Sequence, residues 1–149
     1  MADLARLSIN QATTQAQYSL AEAIAVYSNS DVAGISIWRD KLAECGLDSA
    51  VRMLADSGLR VSGLCRGGMF PGADAAARQA NVDDNLLAID EAVALGAACL
   101  VLVCGGIPEG SKDLAGTRET IRDGLGAILP HARAAGVPLA IEPLHPMYA

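Results

Sequence analysis

Short apolar runs alternate with longer segments of helical spacing along the whole chain. Five runs rich in Val, Ile, Leu and Cys predict β-strands at Leu7–Asn10, Gly34–Trp38, Arg60–Cys65, Cys99–Cys104 and Pro138–Glu142. Their starts are 26 to 39 residues apart, which is enough for one helix and two short connections between neighbouring strands. The pattern therefore predicts a βα repeat.

Four helices are expected between these strands, and their ends fall at residue types that cap helices: Ser19, Asp48, Gly58, Gly96 and Gly136. Ser19 is followed three residues later by Glu22, which is the capping-box pattern. The fourth helix, expected to begin near Thr117, contains Pro130. Proline removes a backbone donor from a helix, so we expect a kink or a break there.

The predicted strands belong to a parallel sheet that is covered on both faces. Cys99–Cys104 is apolar at successive positions rather than at alternate ones, which is typical of strands buried on both sides. Two architectures fit this pattern: a closed (β/α)₈ TIM barrel, of which five strands are an incomplete part, and an open doubly wound α/β sheet. No Pro/Gly/Ser-rich linker divides the chain, so residues 1–149 are expected to form a single domain.

Composition narrows the classes of partner. The 149 residues are 52% apolar, which allows a sizeable core, and carry a net charge of −6. This acidic balance argues against binding to nucleic acid or to an anionic membrane surface, because both need clustered Lys and Arg. No apolar run reaches the length of a membrane span, and Met1–Ser8 lacks the features of a secretory signal, so a cytoplasmic protein is expected.

The carboxyl ends of parallel strands are where ligands bind in both architectures. Glu142 ends the fifth predicted strand, and a carboxylate beside a buried strand costs free energy unless it has a partner. A divalent cation would serve as that partner. A salt bridge to Arg39 or Arg66, or exposure at the rim of the sheet, would also account for this residue.

Three further residues near the predicted strand ends are candidates for contact with a substrate. His145 lies between Pro143 and Pro146, which stiffen its backbone, so it suits a hydrogen bond or an acid/base role as well as a structural one. Trp38 can form the floor of a sugar pocket or pack against a helix. Arg66 can bind a phosphate or carboxylate, or cover the rim of the sheet.

Two glycine pairs follow the third and fourth predicted strands, Gly67-Gly68 and Gly105-Gly106. Such pairs can let backbone N–H groups approach an anion, but neither extends to a G-x-G-x-x-G or P-loop pattern. The simpler interpretation is that both pairs form turns and keep space open above the strands.

Two segments resemble a known family. Asn85–Gly106 is similar to the third helix and fourth strand of the sugar phosphate isomerase/epimerase family, the xylose-isomerase-like barrels, and Ala140–Pro146 is similar to its fifth strand. The resemblance implies that Glu142 binds a divalent metal (Mn, Mg, Co or Zn) and acts as one member of a catalytic acid/base pair. The implied reaction is proton transfer next to the carbonyl of a sugar or sugar phosphate, through an enediolate.

The resemblance also implies that more chain is needed for activity. The family takes its other metal ligands from strands six to eight, and a barrel of this kind has about 250 residues. We therefore expect an N-terminal part of an enzyme, inactive by itself, whose unpaired sheet edges favour association with the remaining strands or with a second copy. The alternative hypothesis is a non-catalytic, open-sheet α/β binding or interaction module.

Overall fold

The computed structural model describes residues 4–143. Within them lie five strands: β1 Ser8–Asn10, β2 Gly34–Trp38, β3 Arg60–Gly68, β4 Leu100–Val103 and β5 Leu139–Ile141. The α-helices in the same part of the chain are α1 Leu20–Asn29, α2 Arg39–Cys45, α3 Leu47–Ser57, α4 Ala75–Ala94 and α5 Leu114–Ala135. None of these helices has the length and apolar character that a membrane crossing requires.

The strands form one open sheet in the order β1-β2-β3-β4-β5, which is also their order along the chain. The pairs β1/β2, β2/β3 and β4/β5 are parallel, with Ile9 opposite Ile35 and Leu102 opposite Ile141. A doubly wound sheet reverses its strand order at a switch point, whereas a (β/α)₈ barrel adds each strand beside the previous one. The partial barrel is therefore confirmed, and the doubly wound alternative is wrong.

The chain divides into two compact units, of which the first comprises the residues up to Cys65 together with Glu91–Cys99. Here α1 begins with the expected capping box: the Ser19 side chain accepts from the backbone N–H of Glu22, and the Glu22 carboxylate accepts from that of Ser19. Helix α1 packs against α3. This unit also contains an ion pair between Arg39 and Glu91, with Nε and Oε2 2.6 Å apart.

Helix α2 was not predicted from the sequence, and it begins directly after β2. Gly46, with φ of +84°, separates it from α3. Gly46 rather than Asp48 occupies the N-cap of α3, and Asp48 lies in the first helical turn, where a negative charge favours the helix dipole. The predicted stop at Gly58 is confirmed, since that residue adopts the left-handed conformation at the C-cap.

The second unit comprises Arg66–Asp90 and the residues from Leu100 onward. Strand β3 runs through Gly68, so the prediction of a turn at Gly67-Gly68 is wrong. A Cβ on Gly67 would lie 2.8 Å from Oδ1 of Asn85, and one on Gly68 would overlap the backbone of Val103. These glycines therefore permit close packing within the sheet rather than a turn.

Helix α5 begins at Leu114, slightly before the predicted start near Thr117. Helix α5 is capped by Asp113, whose side chain accepts from the backbone N–H of Gly116, and it ends at the left-handed Gly136 as expected. The helix runs through Pro130, so the predicted break does not occur. Pro130 and Gly126, the residue one turn earlier, are both exposed, and water can bond the carbonyl that a proline leaves unpaired.

Candidate functional site

In the first unit, the carboxyl ends of β1 and β2 are joined through their last residues. The indole Nε1 of Trp38 donates to Oδ1 of Asn10 over 2.8 Å. The same oxygen accepts from the backbone N–H of Ala12 at 3.1 Å, which caps the short 3₁₀ helix that follows β1. Trp38 is half-buried, and this hydrogen bond holds the edge of its ring at the end of the strand.

Gln11 follows β1 and was not singled out by the sequence. Its side chain is fully buried, and neither Nε2 nor Oε1 has a hydrogen-bond partner within residues 4–143. An unpaired buried amide costs about 1–3 kcal/mol for each orphaned group. Stability alone therefore does not explain a glutamine at this position.

Glu142 comes directly after β5, and its backbone N–H donates to the carbonyl of Leu102 at 3.0 Å, which extends the pairing with β4. The residue is exposed, and its carboxylate makes no hydrogen bond or ion pair with the described residues. Strand β5 is not buried on both faces as expected, since Ile141 is 60% exposed. The free energy cost assumed for a buried carboxylate does not arise here.

The other predicted site residues occupy different surroundings. Arg66 lies inside β3 rather than at its end, and its exposed side chain has no partner in residues 4–143. Arg39 pairs with Glu91. Arg66 and Glu142 belong to the second unit and make no hydrogen bond with each other. His145 lies outside the described residues.

The described residues do not form a metal centre by themselves. Residues 4–143 contain no group of three or more His, Cys, Asp or Glu side chains placed to hold a metal ion. Catalytic zinc sites, for example, take three protein ligands and leave one position open. Glu142 offers one carboxylate, a ligand type that divalent cations accept, and a complete site needs ligands from outside this part of the chain.

In the second unit, the loops after β3 and β4 enclose a cleft of about 670 Å³. We refer to it as the β3–β4 cleft; it is lined by Met69, Pro71, Gly72, Ala73, Gly105, Gly106, Ile107, Pro108 and Glu109. Clefts of this size at the carboxyl ends of parallel strands are common ligand sites. The sequence indicated this region only through Gly105-Gly106, which line the cleft as the open-space prediction required.

The wall of this cleft is held in place by Asn85 of α4. Asn85 Oδ1 accepts from the N–H of Gly68 at 2.6 Å, and Nδ2 donates to the carbonyl of Gly68 at 2.7 Å. The next residue, Met69, has a φ of +54° and donates its N–H to the carbonyl of Val103 at 2.7 Å. Phe70 follows and is almost fully buried. The backbone on both sides of Met69 is thus fixed.

Cys104 ends the segment that carries β4. Burial raises the pKa of its thiol, because the charged thiolate is poorly solvated there. The free thiol therefore stays protonated at neutral pH.

Comparison with known protein families gives a match over residues 21–149 to the model described as xylose isomerase-like TIM barrel. The chain belongs to this family. The match includes β2 to β5 and Glu142, and agrees with the sequential strand order. No curated protein sequence matches the chain.

Several solved structures show the same fold over most of this chain. Protein SMc04130 from Sinorhizobium meliloti 1021 is 54% identical, with a TM-score of 0.93 over 96% of this chain and 52% of its own. A D-psicose 3-epimerase, crystallised in the presence of D-fructose, is 16% identical, with a TM-score of 0.76 over 95% of this chain and 53% of its own. The zinc-bound IOLI protein is 19% identical, with a TM-score of 0.78 over 90% of this chain and 50% of its own. The chain thus spans about half the length of these proteins.

Proposed function

We propose that this chain provides the β1–β5 part of a metal-dependent sugar isomerase or epimerase, with Glu142 as a catalytic residue and metal ligand. The observation that carries the proposal is the placement of Glu142: it follows β5, is tied to β4 through its backbone, and presents a carboxylate with no partner among the described residues. Membership of the xylose isomerase-like family supports this role, as does the name of the D-psicose 3-epimerase.

In the proposed reaction, the Glu142 carboxylate removes a proton from the carbon next to the sugar carbonyl. The resulting enediolate is reprotonated at the neighbouring carbon for isomerisation, or on the opposite face of the same carbon for epimerisation. Epimerisation needs a second acid/base group on the other side, which we place outside residues 4–143. When bound, a divalent cation would supply electrostatic stabilisation of the negative oxygens, with Glu142 as one ligand.

Trp38, Arg66 and His145 are proposed to contact the substrate. The indole of Trp38 is held by Asn10 and can stack on the C–H face of a sugar ring. The exposed guanidinium of Arg66 can donate to sugar oxygens. His145 is three residues beyond Glu142 in the sequence, which suits a hydrogen bond to the reacting part of the substrate.

The test is the Glu142→Gln variant of the full gene product, which keeps the shape of the side chain and removes its charge. We expect Mn²⁺ affinity, measured by titration calorimetry, to fall at least about 10-fold, in the range seen when a metal site loses a supporting group. We also expect loss of epimerisation between D-fructose and D-psicose. The matched control is Glu119→Gln, an equal change at an exposed position of α5. Unchanged Mn²⁺ affinity in Glu142→Gln would contradict the proposed metal role.

A second experiment tests residues 1–149 without the rest of the proposed barrel. Residues 1–149 alone are expected to be catalytically silent with the same ketoses, because the second acid/base group and the remaining metal ligands are proposed to lie elsewhere. Turnover by residues 1–149 that depends on added Mn²⁺ would show that these residues contain a complete site.

A further inference from the structure

We infer that the segment directly after β1, Gln11–Thr13, has two positions, and that in the second of them it presents the Gln11 amide to a bound ligand. In the buried position, which this structure shows, the side chain of Gln11 has no hydrogen-bond partner among residues 4–143. In the open position, the segment turns outward and the amide is available at the carboxyl end of β1. The ligand class is a polyhydroxylated molecule such as a ketose, and this clause rests on the proposed function.

The burial of the Gln11 amide is the first argument. Neither Nε2 nor Oε1 is accessible to solvent. An atom without accessible surface cannot be reached by water, by a ligand or by additional strands of a barrel unless the segment around it moves. In the buried position both groups therefore lose their hydrogen bonds to water and gain none in return, which disfavours this position.

The attachment of the segment to β1 is the second argument. Gln11–Thr13 is a single turn of 3₁₀ helix, in which the hydrogen-bond geometry is poorer than in an α-helix. Two hydrogen bonds tie this turn to Asn10: its Oδ1 accepts from the N–H of Ala12 at 3.1 Å, and its carbonyl accepts from Oγ1 of Thr13 at 2.7 Å. Asn10 and Thr13 are both exposed, so water can replace these bonds when the segment opens.

Trp38 connects this attachment to a ligand, which is the third argument. Oδ1 of Asn10 accepts from the indole Nε1 of Trp38 at 2.8 Å as well as from Ala12, so one oxygen holds both the ring and the turn. A ligand hydroxyl that accepts from Trp38 Nε1 replaces Asn10 there, and the Asn10 side chain is then no longer held in its capping orientation. Loss of an N-cap destabilises the turn that it begins. The ligand that opens the segment therefore meets the Gln11 amide, which offers two donors and an acceptor oxygen.

The two positions differ little in free energy, because the opposing contributions are of comparable size. The N-cap and the burial of the two CH₂ groups of Gln11 favour the buried position, whereas the two orphaned polar groups oppose it. At the far end of the segment, Oγ1 of Thr14 shares a hydrogen bond with the hydroxyl of Tyr27 on α1, which confines the movement to Gln11–Thr13. All these residues belong to the first unit. A ligand that binds the open position enriches it.

The first test measures opening without a ligand, in the full gene product, by hydrogen exchange of the Ala12 N–H, whose bond to Asn10 breaks when the segment opens. Gln11→Met fills a similar space without orphaned polar groups, so the open fraction and the exchange rate should fall about 5-fold or more. The matched control is Gln15→Met, the same change at an exposed glutamine of the same connection, which should leave the exchange rate unchanged. Equal exchange rates in the parent protein and in Gln11→Met would overturn the inference.

Trp38→Phe tests the connection through Asn10. This variant removes the indole N–H and leaves the Asn10 side chain in place, so the cap is present but no longer held by the ring. Exchange of the Ala12 N–H should rise about 3-fold, because a weakened N-cap favours the open position. Tyr18→Phe, at a half-buried tyrosine of the same connection, is the control and should not change the rate. An unchanged rate in Trp38→Phe would overturn the proposed trigger.

The ligand role is tested with D-psicose, whose binding is measured by calorimetry. Bound D-psicose should speed exchange of the Ala12 N–H, and Gln11→Met should bind D-psicose about 10-fold more weakly, while Gln15→Met binds it as the parent protein does. Slower exchange with D-psicose bound, or unchanged affinity in Gln11→Met, would overturn the ligand role and leave the proposed function standing. Failure of the parent protein to bind D-psicose would instead contradict the proposed function, and the exchange rate of Gln11→Met would still decide between one position and two.

Discussion

The side chain of Asn85 makes two hydrogen bonds to the backbone of Gly68, as a neighbouring strand would. Oδ1 of Asn85 accepts from the N–H of Gly68 at 2.6 Å, and Nδ2 donates to the carbonyl of Gly68 at 2.7 Å. The bonds are buried, and a third bond from Nδ2 reaches the carbonyl of Asn81 one turn earlier in α4. Three bonds to one amide satisfy most of its hydrogen-bonding capacity. Helix α4 and the end of β3 are therefore fixed to each other by a polar contact.

Asn85→Leu should lower the free energy of unfolding by about 2–4 kcal/mol, because Gly68 would keep two buried backbone groups without partners. Urea denaturation measures the change. Gln79→Ala, which removes an exposed amide from the same helix, is the control and should change stability by less than about 0.5 kcal/mol. A small effect of Asn85→Leu would show that water replaces the amide.

Replacing either of two glycines in α5 with alanine should change the stability of the protein, and the two changes should have opposite signs. A Cβ on Gly124 would overlap the ring of Phe70, so Gly124→Ala should destabilise the protein by about 1–3 kcal/mol. Gly126 has open space around it, and Gly126→Ala should stabilise the protein by about 0.5–1 kcal/mol through better helix propensity. Thermal or urea unfolding of the two variants checks this, and effects of the same sign would contradict the packing of Phe70 against α5.

Much of the architecture could be predicted from the sequence, because parallel strands and amphipathic helices leave strong periodic signals. All five strands were found, as were the caps at Ser19, Gly58 and Gly136. Gly67-Gly68 were misinterpreted because a packing glycine and a turn glycine look alike in sequence. The deciding contact is with Val103, far along the chain.

The part of the β3–β4 cleft that follows β3 was missed for a similar reason. Met69 and Phe70 are adjacent and both apolar, yet Met69 is 47% exposed and Phe70 is 1% exposed. Side-chain composition shows neither which of two neighbouring apolar residues enters the core nor that Met69 adopts a left-handed backbone. Glu142, by contrast, does follow a strand as predicted, and of the alternatives offered for it the structure shows exposure at the rim of the sheet; its role as a metal ligand stays a prediction.

The capping box of α1 should make part of the stability depend on pH. Hydrogen bonds from the backbone and side chain of Ser19 lower the pKa of Glu22, so the ionised form favours the folded state. This contribution is present above the unfolded pKa near 4.5 and is lost as the pH falls through the lower folded value. Ser19→Ala should cost about 1 kcal/mol at pH 7 and less at pH 3, measured by urea denaturation. An equal cost at both pH values would contradict this linkage.

Burial should protect Cys104 from alkylation. Because its pKa is raised, the folded protein holds a smaller fraction of reactive thiolate at pH 8 than the unfolded chain does. Iodoacetamide labelling followed by peptide mass spectrometry should show slower modification in buffer than in urea, with the difference narrowing as the pH rises. Equal rates at pH 8 would show that the thiol is freely solvated.

Gln11→Met should increase stability. Methionine has a similar shape, and it removes two buried polar groups that have no partner in residues 4–143. A gain of about 1 kcal/mol in urea denaturation is expected. A loss of stability would instead indicate that the amide binds a buried water molecule.

The agreement between strand order and chain order also affects how the protein is made. Apart from β1, every strand pairs with a strand that was synthesised before it. When a new strand leaves the ribosome, the surface that it joins is therefore already present, and it does not have to wait for a later segment. Growth of the sheet can follow translation, which shortens the time that each apolar strand spends exposed to other nascent chains.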